Sequence, residues 1–137
     1  MSSVYKNLLI FDIHGQLHPE DWIELGYLLD MIKLNNDLLS ETRFSSVNAL
    51  KVSSGYSIEE VIRGRASLDA FMDQQGFRVV PSPSIKSPGK GNYFTGGFTS
   101  SYHKSSNVNT IQMEFPSSLR TTLDNFKNDG AKLAKSI

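Results

Sequence analysis

The first wholly apolar run in the chain is Leu8-Leu9-Ile10-Phe11, closed by Asp12 and Gly15. Its length and β-branching predict a strand buried on both faces, as in the middle of a helix-covered sheet. Polar residues just past its C-terminal end then fall where open α/β sheets place their sites. Between Trp22 and Ile32 the pattern admits two readings. A helix opened by Pro19 would put Trp22, Leu25, Leu29 and Ile32 on one face, whereas Gly26 and the aromatics favour a strand.

Punctuation is clearer further on. Ser57 and Glu60 have the spacing of a capping box, with Ile58, Val61 and Ile62 behind them as a buried stripe and Gly64 as the break. A second helix would use Leu68, Phe71 and Met72 and stop at Gly76. Phe77-Arg78-Val79-Val80 reads as a strand closed by Pro81 and Pro83, and residues 82–97, rich in Ser, Pro, Gly and Asn, read as a long irregular loop. Thr110 to Phe115 alternates, with Ile111, Met113 and Phe115 on one side and Gln112 and Glu114 on the other. Pro116 ends that strand, and Ser117 or Ser118 would cap a terminal helix using Leu119, Leu123, Phe126 and Leu133. Helices alternating with strands predict an α/β layer fold.

Composition narrows the function. A chain of 137 residues is one domain's worth, residues 1–137. It has no cysteine, which excludes disulfides, zinc-thiolate sites and thiol catalysis and restricts any metal to nitrogen and oxygen ligands. The 14 Lys and Arg balance the 14 Asp and Glu, so the footprint of a general nucleic-acid or membrane-surface binder is missing. No window approaches the ~20 apolar residues of a transmembrane span, and a cytoplasmic location is the expectation.

Within that frame, few groups can carry chemistry. His14 follows the first strand with Asp12 before it and Gly15 after it, so its ring is placed either to ligate a metal in a crevice or to hydrogen-bond a loop carbonyl. Asp12 would orient that imidazole or cap the turn at Gly15. His18 lies four residues on, a spacing that joins two ligands only on a helix, and reads as a rim residue. Glu114, with Gln112 on the same side, is either a buried carboxylate in need of a partner or part of the solvated face of an edge strand. The Gly96-Gly97 pair lets backbone approach a ligand or simply makes a turn. Arg43, Arg63 and Arg65 are candidates for holding a substrate carboxylate and equally serve as surface charges.

In order, LLIFDIHGQ (8–16), WIELG (22–26), YFTGGF (93–98) and IQME (111–114) resemble the C-terminal half of N-formylglutamate amidohydrolase-like proteins, over roughly Leu8 to Arg120. The resemblance implies a zinc-dependent exopeptidase or phosphorylase/hydrolase-like fold, a mixed sheet between helices. It also implies a zinc-activated water that cleaves the amide bond of N-formyl or N-acyl amino acids. By similarity His14 is a zinc ligand and Glu114 the general base and proton shuttle. Gly96, Gly97 and Gln112 would line the substrate pocket, and Arg43 or Arg65 would hold the substrate carboxylate. Family members carry another zinc histidine and an acidic ligand in an N-terminal half, which this chain begins too late to contain. The implied site is therefore incomplete, with His18, His103 or a carboxylate left to supply the missing ligands. The competing expectation is a non-catalytic module that binds a small carboxylate or self-associates as a homo-oligomer through a sheet edge.

Overall fold

A computed structural model describes residues 7–40, 42–121 and 123–137. The fold is α/β, with one open mixed sheet of four strands flanked by helices. The strands are β1 (Leu8–Gly15), β2 (Ile23–Gly26), β3 (Val79–Val80) and β4 (Val108–Phe115), in the order β1-β4-β2-β3. β1 runs parallel to β4 from Leu8↔Val108 to Gly15↔Phe115, β4 runs antiparallel to β2, and β2 is parallel to β3.

The alternation of β4 decides how the molecule is layered. Ile111 and Met113 are buried on the side that also takes Leu25, Val47, Ile58, Ile62 and Met72, and these residues form one core cluster. Each fully buried aliphatic side chain there contributes about 1.5–3 kcal/mol. The helices against that cluster start where the sequence puts them. Ser57 makes the capping box with Glu60 at the start of α3 (Ile58–Arg63), and Ser67 caps α4 (Leu68–Gln74) by accepting from the Ala70 amide. The remaining helices are α1 (Met31–Asn35), α2 (Asn48–Ser54), α5 (Phe98–Tyr102) and α6 (Leu123–Ser136). Leu119 and Leu133 pack on the core, while the side chains of Leu123 and Phe126 lie outside the described residues.

Of the two readings open after Pro19, the strand is the one that forms, at Ile23–Gly26, and the helical turn waits until Met31. One expectation is corrected. β1 is not an interior strand. Among the described residues its one neighbour is β4, and Leu8, Leu9 and Ile13 are 48, 42 and 57 % exposed. An apolar run signals fitness for burial on both faces, but it does not supply a neighbour on both edges. Residues 82–97 are irregular, and Arg63 pins them. Its buried guanidinium donates to the carbonyls of Leu34 and Lys86 and pairs with Asp37 and Glu59, which makes it a clamp between loop and helices. Among the described residues no helix is long and apolar enough to cross a membrane.

Candidate functional site

Register builds the site. His14 is the parallel partner of Glu114, and Glu24 is its antiparallel partner on the other side. Paired residues stand on the same face of a sheet, with Cα atoms about 4.5–5.5 Å apart. His14, Glu114 and Glu24 therefore form a row across three strands, on the face away from the helical core. β4 is an inner strand, and Gln112 and Glu114 are both buried, at 6 % exposure. Theirs is a covered polar face, not the solvated face of an edge strand.

Glu114 accepts from the Gln112 side-chain amide at 2.8 Å. Burial pushes its carboxyl above the usual range; His14, Gln112 and His18 oppose the rise and Glu24 adds to it. A carboxylate so placed holds a proton more readily than a free one, which suits a group that takes and returns protons. Asp12, two residues before His14 and on the same face, meets the His14 ring, with Oδ1 2.9 Å from Nε2.

Glu24 was not legible as a site residue, and neither was its pairing with His18. Glu24 has no exposed surface, and its Oε1 lies 2.6 Å from His18 Nδ1. The same oxygen accepts from the Trp22 indole at 3.2 Å, and Oε2 accepts from the Phe94 amide at 2.7 Å. The His18 ring stacks on Phe94, with centroids 4.7 Å apart. Its main-chain N–H donates to the Gln16 side chain, whose amide donates to the Trp22 carbonyl at 2.9 Å. The available signal was a lone acid inside the otherwise apolar WIELGY, since a buried carboxylate must find donors.

Two glycines let the 92–97 segment cover this face. A Cβ on Gly26 would lie 2.6 Å from the Gly96 nitrogen, and one on Gly97 would lie 2.8 Å from Gln112 Oε1. The Leu28 amide donates to the Thr95 carbonyl at 2.7 Å and the Tyr93 hydroxyl to the Leu25 carbonyl at 2.6 Å, which holds the segment down. Gly97 thus sits against the Gln112 side chain, and Gly96 against Leu28 and Ser100.

The arginines proposed for a carboxylate are elsewhere. Arg43 lies over Phe44 and lines a shallow cavity with Lys104 and Val108, at the opposite end of β4 from Glu114. Arg65 is exposed in the turn between α3 and α4, on the helical side of the sheet. His103 is exposed at the end of α5. The arginine nearest the row is Arg120, whose guanidinium covers Gly15 and donates to the carbonyls of Phe115 (3.1 Å) and Gln16 (2.8 Å). With His14, Ile13, Leu119 and Leu133 it lines a cavity of about 330 Å³ at the tips of β1 and β4.

The resemblance implies zinc. Among the described residues no three His, Asp or Glu side chains come together as a metal-holding group. A catalytic zinc takes three protein ligands, so the described residues do not make that set alone. No protein-family model, curated protein or solved structure matches this chain.

Proposed function

We propose that the polar row carries an amide hydrolase site acting on N-formyl or N-acyl amino acids, on a fold of the zinc-dependent exopeptidase type, with Glu114 as general base. The observation that supports this reading is the in-register pairing of a half-exposed His14 with a buried Glu114, whose carboxyl burial raises. His14 is the group offered to a zinc ion, whose remaining ligands must come from outside the described residues. The test is hydrolysis of N-formylglutamate by the purified chain alongside measurement of its metal content. Turnover removed by a chelator, by His14→Ala and by Glu114→Gln is the expected result; chelator-resistant turnover indifferent to both substitutions refutes it.

One observation favours a second reading, self-association through the unpaired edge of β1. The strand is eight residues long and presents exposed Leu8, Leu9 and Ile13. Such an edge is a template for another strand. Sedimentation at rising concentration separates the two: a metal-free dimer without turnover supports the second, and an active monomer the first.

A further inference from the structure

Three donors converge on the buried carboxylate of Glu24: His18 Nδ1 at 2.6 Å, the Trp22 indole at 3.2 Å and the Phe94 amide at 2.7 Å. With donors on both oxygens it acts as an acceptor, so Nδ1 of His18 carries a proton and Nε2 presents its lone pair, or in the imidazolium a second N–H. The ring is fixed in three ways: by Glu24, by stacking on Phe94, and by the Gln16 contact to its main chain. Nε2 has no hydrogen-bond partner among the described residues, and about a fifth of the side chain, 21 %, is open to solvent. Packing alone does not call for this. A histidine whose one nitrogen is held by a buried carboxylate while the other is free is arranged to move a proton at the free nitrogen. It stands on Glu24, which faces Glu114 directly across the β2–β4 pair.

The geometry points to His18 as the acid that protonates the leaving nitrogen of a bound amide, with Glu24 as its positioning residue; this rests on the hydrolytic reading of Glu114. Glu114 takes one proton from water as the water oxygen bonds to the carbonyl carbon. The C–N bond then breaks with its electron pair on nitrogen, and that nitrogen takes the Nε2 proton of the His18 imidazolium. The products are a carboxylic acid and an amine. Glu114 returns its proton to solvent and His18 regains one, so the cycle consumes only water. Glu24 holds the ring by its Nδ1 contact, so that Nε2 keeps its direction through the step.

The test uses two substrates with one acyl group. N-Acetylglutamate leaves as an amine that needs a proton, whereas 4-nitrophenyl acetate leaves as a stable phenolate that does not. Two variants, His18→Gln and His18→Asn, are compared; Asn keeps a donor for Glu24 near the Nδ1 position and so protects the fold. The expected result is a fall of about 10²–10⁴-fold in kcat/KM for the amide, with the ester changed by less than about threefold. Long-range ¹H–¹⁵N spectra of the wild-type rings should show Nδ1 of His18 protonated in the neutral form, and Glu24→Gln should remove that preference. Equal losses on both substrates, no loss on either, or an Nε2-protonated neutral ring each overturn the role of His18 while leaving Glu114 as base. A wild-type chain that hydrolyses neither substrate overturns the hydrolytic reading itself, and the role of His18 with it.

Discussion

Asp69 should make the protein less stable as pH rises. Its side chain, on α4, has no exposed surface, and its Oδ2 accepts from the Tyr27 hydroxyl at 2.5 Å. Oδ1 has no partner, and no cation pairs with it among the described residues. Burial therefore pushes its carboxyl well above the usual range, with the Tyr27 hydrogen bond opposing. The unfolded chain titrates this group near ~3.9. The folded value is raised, so the contribution of Asp69 to stability is fully present below that pH and is lost as pH climbs to the folded value. The slope over that interval is about 1.4 kcal/mol per pH unit. Asp69→Asn keeps the shape and an acceptor for Tyr27 but never ionises. Relative to wild type it should gain about 1.4 kcal/mol for each pH unit between ~4 and the folded value and nothing beyond it, equivalent to roughly 3–5 °C in Tm per kcal/mol for a domain of this size. Urea unfolding of both proteins at pH 4.5, 5.5 and 6.5 reads the difference directly. A stability difference that does not change with pH would show that Asp69 is ionised in the folded protein and would refute the reasoning.

Three further outcomes follow from the same physics. Gly26→Ala should lower stability by about 1–3 kcal/mol, because the new Cβ meets backbone of residues 95 and 96 that cannot rotate away; faster amide exchange at Leu28 and Phe94 would locate the damage, and wild-type exchange there would count against it. Arg63→Met should cost about 2–4 kcal/mol by chemical denaturation, since the buried carbonyl of Leu34 and the part-buried one of Lys86 lose their donor, and a loss under about 0.5 kcal/mol would contradict the clamp. Glu114→Gln should abolish turnover yet leave the protein at least as stable at neutral pH, because a carboxyl raised by burial loses its stabilising contribution as pH rises; in the wild type the acid limb of kcat/KM should lie above the ordinary carboxylate range.

What the chain disclosed in sequence was what local rules govern. The Ser57–Glu60 box and the alternation from Thr110 to Phe115 each depend on residues a few positions apart, and both appear where the pattern puts them. The edge position of β1 was not legible, since LLIF is equally apolar whether or not a second strand adjoins it. His18, read as a rim residue, keeps 21 % of its side chain exposed; what spacing rules could not give is its contact to Glu24. Its partner Glu24, six residues on, is reached by reversal of the chain at residues 16–22, closed by the Gln16 contacts to His18 and Trp22. The resemblance pointed to Arg43 and Arg65 with no motif around either, while the guanidinium that lines a cavity with His14 belongs to Arg120, brought there by the turn after Pro116.

The row itself argues for chemistry over architecture. Two carboxylates, Glu24 and Glu114, face each other across an antiparallel pair, where like charges oppose folding. Their partners are hydrogen-bond donors and two histidines, not a lysine or arginine, among the described residues. A sheet face meant only to be stable would place apolar residues at 24 and 114, since well-packed hydrophobic replacements of buried charges are often neutral or stabilising. Partners that can lose their charge leave the carboxylates free to change protonation, whereas a guanidinium would hold them ionised at any working pH. Such an arrangement weakens the fold locally and gathers groups able to exchange protons, which is the compromise expected where stability has been traded for activity.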